Sequence, residues 1–211
     1  EKECRFLNRR FFTFHTQKRP YIILKWAQTQ DGFIAREDLT SKWISNACSR
    51  LLVHHWRGQE DAVLTGPRTA LIDNPKLTVR EMAGKNPVRI AIDREGKLPG
   101  THSLFDGESD TIIFTAGKPR KINRTEWITI DFSGQFIQQI LGVLYERNIQ
   151  SVIIEGGSTW LNFHINEDLW DEARVFTGGV TFGKGINAPA IYGSRSESFS
   201  VKNDKLNIHY R

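Results

Sequence analysis

The sequence predicts an α/β fold, with a mostly parallel central sheet flanked by helices on both faces. Three observations carry this. Short apolar bursts recur along the chain, as strands buried on both faces require. Segments with apolar residues at three-to-four spacing lie between them, as crossover helices require. Paired glycines follow one of the most apolar bursts, where a strand would hand over to a helix.

Residues 1–19 are charged and aromatic without clear period, and they run into Pro20, which favours an extended start to the next segment. They are expected to be a linker or the tail of a preceding unit, leaving residues 20–211 as the folded domain. Strands are expected at 21–28, 62–65, 88–93, 111–115, 151–155 and 174–177. Asp31-Gly32 reads as a hairpin turn. Ser45 is a candidate cap for a helix whose stripe is Ala47, Leu51, His54 and Trp56, with Gly58 as its stop. A second helix follows Ser133 through Phe136, Ile137, Ile140, Leu141 and Leu144, and it delivers the chain to the strand ending at Glu155. Right-handed crossovers between such strands place ligands beyond the carboxyl ends of the sheet.

Composition narrows the classes. With 39% hydrophobic residues in 211, the chain can bury a substantial core. Its apolar runs fall far short of the roughly 20 residues that cross a bilayer, so no membrane span is expected. Cys4 and Cys48 are too few for a disulfide framework and lack zinc-site spacing, which makes a cytoplasmic address the simplest expectation. The chain opens at Glu1 rather than methionine and shows no signal peptide, so it reads as cut from something longer. A formal charge of +5 suggests an anionic ligand. The basic residues come in scattered pairs rather than a stripe, so nucleic acid is not expected and a phosphorylated small molecule stays open.

Several segments carry chemistry. Residues 151–161 run from a buried strand through Glu155, Gly156 and Gly157 into Ser158, Thr159, Trp160 and Leu161. Paired glycines at a helix start suit a diphosphate, although a tight turn would use the same residues. Glu155 adds a demand, because an acid ending an apolar strand needs a partner. Residues 178–185 nearly spell a nucleotide P-loop, but Gly185 stands where a magnesium-binding hydroxyl is required. They read instead as a glycine-rich loop over a ligand or as a solvent loop. His54 and His55 point about 100° apart on a helix and cannot easily share a metal, so none is expected. Asn123-Arg-Thr matches a glycosylation sequon without meaning in the cytoplasm.

Taken together, residues 20–27 (PYIILKWA), Asp31-Gly32, Ser41-Lys-Trp43, Arg57, 61–66 (DAVLTG), Thr69, 73–80 (DNPKLTVR), 88–94 (VRIAIDR) and 154–157 (IEGG) resemble the reductase domain of the bifunctional riboflavin-biosynthesis deaminase/reductase family. The resemblance implies a dihydrofolate-reductase-like fold in a homodimeric enzyme. It implies NADPH-dependent reduction of the ribosyl group of 5-amino-6-(5-phosphoribosylamino)uracil to a ribityl group. It also implies a zinc deaminase domain ahead of this chain, whose His-x-Glu and Pro-Cys-x-x-Cys pattern occurs nowhere here. By matching motif, Ala27, Trp43, Thr69, Asp73 and the turn and helix of Gly156, Gly157, Ser158, Thr159, Trp160, Leu161, Asn162 and Phe163 would hold NADPH, with Arg94 on the 2′-phosphate. Ser41, Arg57, Leu77, Arg80 and Glu155 would position the substrate, the two arginines gripping its 5′-phosphate. Lys25 would donate to a sugar oxygen and Glu155 would accept from the ring's amino groups, a structural ion pair between them being the alternative. A pteridine or dihydrofolate reductase of the same fold is the competing reading, and it would not need Arg57 and Arg80 beside its substrate.

Overall fold

The computed structural model describes residues 1–38, 40 and 42–211. Its elements in chain order are α1 (Lys2–Leu7), α2 (Arg9–Gln17), β1 (Tyr21–Gln28), β2 (Phe33–Ala35), α3 (Ala47–Gln59), β3 (Ala62–Thr65), α4 (Pro67–Asp73), β4 (Val88–Ile92), β5 (Thr111–Thr115), β6 (Arg120–Ile122), β7 (Thr125–Thr129), α5 (Phe136–Glu146), β8 (Ser151–Glu155), α6 (Ser158–Asn166), β9 (Glu172–Thr177), β10 (Ile186–Asn187), β11 (Arg195–Val201) and β12 (Asp204–Tyr210). The main sheet has the order β11-β12-β9-β1-β8-β3-β4-β5-β7-β6. From β9 to β7 every pairing is parallel, and antiparallel strands close both edges.

Alternation along each strand divides the core between the two faces. Ile22, Leu24, Leu64 and Ile90 face α5 and α6, whose Ile137, Ile140, Leu144 and Leu161 complete that layer. Tyr21, Ile23, Val63 and Ala91 face α3 and α4, which contribute Val53, Trp56 and Ala70. Leu64 and Ile140 are fully buried, so truncating either to Ala would cost about 2–5 kcal/mol.

Four sequence expectations need correction. Residues 9–17, where no clear period was expected, form a helix. Arg9 pairs with Glu172 at 3.1 Å, and Arg10 meets the carboxylate of Glu60, so α2 is pinned to β9 and to the end of α3. Asn46, not Ser45, caps α3 by accepting from the Ser49 amide at 3.0 Å. Asp204 on the β11–β12 hairpin reinforces that cap, accepting from the Asn46 amide at 2.7 Å and the Ser49 hydroxyl at 2.6 Å. The helix runs through Gly58 to Gln59, since nothing at that position demands a left-handed residue. Asp31-Gly32 does turn the chain back, with Gly32 at φ 85 and the Thr29 amide donating to the Phe33 carbonyl at 2.9 Å, but β2 takes its ladder from β10 rather than from β1.

Candidate active site

The parallel strands end together at one rim. Lys25 and Thr65 are each in register with Glu155, which places an ammonium and a carboxylate side by side at the carboxyl ends of β1 and β8. Their closest approach is 3.7 Å. From α3, Arg57 presents Nε and Nη2 to the two oxygens of Glu155 at 2.8 and 2.9 Å, and its Nη1 donates to the Thr78 carbonyl at 3.2 Å. Burial alone would raise the Glu155 carboxyl, but Arg57 and Lys25 outweigh it and hold the group down at about 2. Burial, aided by Arg57, lowers the Lys25 ammonium against the opposing pull of Glu155. One carboxylate is thus fixed by two charge-assisted bonds while its neighbouring ammonium is held loosely.

Backbone geometry supports the cluster. Leu77 takes φ 54, a left-handed conformation unusual for a branched side chain, and buries that side chain at 2% exposure. The turn delivers the Thr78 carbonyl to α3, where it also meets His54 Nδ1 at 3.1 Å. Wholly buried Arg89 reaches the Lys76 carbonyl at 3.5 Å and ties it to the 103–111 stretch, where it donates to the Thr111 hydroxyl and the Ser103, Leu104 and Ser109 carbonyls.

Two residues beyond Glu155, at Gly157, begins a cleft of about 730 Å³. Gly157, Ser158, Thr159, Trp160 and Phe163 line one side, Gly66 to Thr69, Ile72 and Asp73 another, and the β2–β10 flap brings Ile34, Arg36, Phe182 and Ile186. Gly157 is the N-cap of α6 with no side-chain cap bond; its own amide donates to Thr69 and the Trp160 amide to the Gly157 carbonyl, which leaves the Ser158 and Thr159 amides open to a ligand. A Cβ on Gly157 would meet only the Thr69 hydroxyl, at 4.0 Å, so the turn is open to the cleft. Gly66 and Gly156 are different: a Cβ there would strike or crowd the Trp160 ring at 2.8 and 3.1 Å. These two glycines are required by packing beneath the indole. Arg36, Lys42 and Arg68 line the cleft against one acid, Asp73, so its field favours an anion.

The family described as the RibD C-terminal domain matches residues 20–208. The chain belongs to that family. It is 37% identical over 213 residues to the riboflavin biosynthesis protein RibD of Aquifex aeolicus, covering 98% of this chain and 60% of the relative. The 2,5-diamino-6-ribosylamino-4(3H)-pyrimidinone 5′-phosphate reductase of Archaeoglobus fulgidus is 27% identical over 201 residues, covering 87% of this chain and 90% of that protein. Among solved structures, a diaminohydroxyphosphoribosylaminopyrimidine deaminase/5-amino-6-(5-phosphoribosylamino)uracil reductase from Thermotoga maritima is 33% identical with a TM-score of 0.85, over 100% of this chain and 62% of that one. The chain therefore spans about three fifths of the RibD proteins it resembles.

Of the residues the RibD motifs single out, the cleft collects Thr69, Asp73, Gly157, Ser158, Thr159, Trp160 and Phe163. The Thr69 hydroxyl also accepts from the Gly157 amide at 3.2 Å, tying the two walls together. Others lie elsewhere. Leu161 turns into the core, and Asn162 bonds back to Ser158 along the helix. Ala27 packs against the core layer that faces α3 and α4, and exposed Trp43 lies under Arg50 at 4.6 Å. Arg94 sits over Phe132 at 5.5 Å, outside the lining, at the far end of a row of rings running through Phe136 and Phe163 to Trp160. Arg57, expected to grip a phosphate, has its fork committed to Glu155, which leaves exposed Arg80 as the freer guanidinium. Ser41 lies outside the described residues. Sequence reading missed the cations Arg36, Lys42 and Arg68, because surface arginines and lysines acquire meaning only when the chain path brings them to one cleft.

The glycine-rich loop at 178–185 is no P-loop. Its Phe182 and Gly183 amides donate to the Asp31 carboxylate, at 3.0 and 2.7 Å to one oxygen, and a strand rather than a helix follows. Gly178 is needed for close approach, since a Cβ would lie 2.0 Å from the Ile44 carbonyl oxygen.

Proposed function

We propose that this chain reduces the ribosyl group of 5-amino-6-(5-phosphoribosylamino)uracil to a ribityl group in riboflavin biosynthesis, with NADPH in the 730 Å³ cleft. The observation that carries the reading is the adjacency of two dissimilar sites. A cationic, aromatic-walled cleft opening on a helix N-terminus begins two residues along the chain from Glu155 of the buried Lys25–Glu155–Arg57 cluster. The likeness to the archaeal pyrimidinone phosphate reductase and to riboflavin biosynthesis proteins supports the same chemistry.

The cleft fits a dinucleotide. Gly157, Ser158 and Thr159 would take the diphosphate, Trp160, Phe163 and Phe136 offer faces for the ring systems, and Arg68, Arg36 and Lys42 supply countercharge. When bound, the cofactor supplies the hydride for the sugar carbon. The chain's own residues align and manage charge. Lys25 donates from Nζ to a sugar oxygen, and its lowered pKa makes that nitrogen a readier proton donor. Glu155, held ionised by Arg57, accepts from amino groups of the pyrimidine. Arg80 meets the 5′-phosphate, and holding that remote end aligns the reacting carbon. The homodimer and the preceding deaminase belong to the same proposal, and light scattering of the purified chain tests the first.

The test is NADPH oxidation followed at saturating cofactor with the phosphorylated intermediate, deaminated and undeaminated, and with dihydrofolate. Turnover of a phosphorylated pyrimidine is expected, and turnover of dihydrofolate alone would overturn the assignment. For the cofactor, Arg68→Ala should weaken NADPH binding by about tenfold, while Arg94→Ala should change it less. The reverse order, measured by calorimetry, would return the 2′-phosphate to Arg94.

A further inference from the structure

We propose that His54 is a substrate-positioning residue, its bare Nε2 accepting a hydrogen bond from a ribosyl hydroxyl between the phosphate at Arg80 and the reacting end at Lys25 and Glu155. This rests on the reduction proposed above.

His54 and Arg57 stand three residues apart on α3 and share one acceptor. The Thr78 carbonyl receives His54 Nδ1 at 3.1 Å and Arg57 Nη1 at 3.2 Å, which fills both oxygen lone pairs. A carbonyl cannot donate, so Nδ1 carries the proton and a neutral ring must leave Nε2 as an acceptor. Nothing among the described residues bonds to Nε2, yet it is not one of the sealed, partnerless atoms of the interior, unlike Nε2 of His164. The ring is only 5% exposed, so it holds a single orientation.

The surroundings keep it neutral. Arg57 faces it from its own helix, Arg80 and Glu81 from the segment after Thr78, and Glu155 from β8. Burial, then Arg57 and Arg80, lower its pKa below the ordinary imidazole value. An acceptor flanked by two guanidiniums is poorly suited to a second cation and cannot bond an unprotonated phosphate oxygen. A hydroxyl beside a phosphate suits it, because the anion neutralises the arginines while the hydroxyl donates to Nε2.

Two variants separate this role from a structural one. His54→Asn can keep a donor at the Nδ1 position toward Thr78 but removes the Nε2 acceptor. His54→Gln reaches the Nε2 position and gives up the Thr78 bond. We expect KM for the phosphorylated substrate to rise about fivefold in His54→Asn, with little change in NADPH affinity, and His54→Gln to remain nearer wild type in KM. Wild-type kcat/KM should fall as pH drops below the ordinary imidazole range, where Nε2 gains a proton, and His54→Asn should lose that limb. Nitrogen-15 imidazole spectra of the free protein should report an Nδ1–H tautomer.

If wild type reduces the substrate but His54→Asn keeps its KM and pH profile while His54→Gln loses stability, His54 only braces Thr78 and the inference fails. An Nε2–H tautomer would also overturn it. A wild type that oxidises no NADPH with any phosphorylated pyrimidine instead removes the functional reading beneath it.

Discussion

Two buried ion-pair networks face α3, one near each end of the parallel strands, and they are built differently. At the first, Glu60 and Glu172 are each met by arginines: Arg174 binds both, at 3.0 and 2.6 Å, while Arg10 and Arg9 close the outer sides. Both carboxylates are about 2% exposed and have no face left for a ligand. At the second, Glu155 takes one tight fork from Arg57 and leaves Lys25 at 3.7 Å, with more of both side chains open. Burial of charge is common to the two, so burial alone does not mark a working site. The difference is a member left under-coordinated beside a cleft.

The largest effect that tests this contrast is Glu155→Gln, which keeps the shape and removes the charge. It should lower kcat/KM by about a thousandfold, roughly 4 kcal/mol of barrier, with a Tm lower by several degrees because Arg57 and Lys25 lose their countercharge. A large fall in Tm with activity preserved would make the Glu155 cluster as structural as the Glu60 one.

Next is a buried titratable group with no charge partner at all. His164 donates from Nδ1 to the Trp160 carbonyl at 2.9 Å and is fully enclosed. Burial pushes its pKa from 6.5 down to about 4. The folded state therefore prefers the neutral ring while the unfolded chain protonates first. Stability from this group is complete above about pH 6.5 and declines as pH falls toward 4, by about 3 kcal/mol. Urea titrations at pH 7.5 and 4.5 should show the loss, and His164→Leu should flatten it. Glu155 and Glu60, whose folded pKa values are lowered, contribute above about 4.5 and lose their share only in stronger acid.

Arg10→Ala opens the closed network from its more exposed side. Arg10 is 30% exposed there, and Glu60 keeps Arg174, so the cost should be about 1–2 kcal/mol, or a Tm lower by a few degrees, with KM values unchanged. Smallest of all should be Arg147→Gln. Its pair with Glu126 at 2.7 Å is solvent-exposed, and its loss should stay below about 1 kcal/mol in a denaturant titration.

The central strands were legible because parallel strands covered on both faces are continuous apolar runs, as in Ile22-Ile-Leu24 and Val152-Ile-Ile154. The edge hairpin was not, since β11 (RSESFSV) is largely exposed and reads as polar loop. Helix α2 escaped for a related reason. Its sequence, RRFFTFHTQ, mixes charge and aromatics, and its partners Glu60 and Glu172 lie 50 and 163 residues away. Lys25 and Glu155 could be suspected as charges ending apolar strands, whereas the Arg57–Glu155 fork joins residues 98 apart and had no local signature. His54 was read as part of the helix stripe and as a poor metal ligand, because its bond to Thr78 depends on the left-handed turn at Leu77.

The flap over the cleft carries its own anion. Asp31 is tied covalently to the loop amides it occupies, so it competes with any external phosphate at an effective concentration no metabolite reaches. The glycine-rich loop is thereby kept filled, and the amides left open toward the cleft are those of Ser158 and Thr159, just past Gly157. The chain steers a charged ligand partly by satisfying, in advance, the seat where it is not wanted.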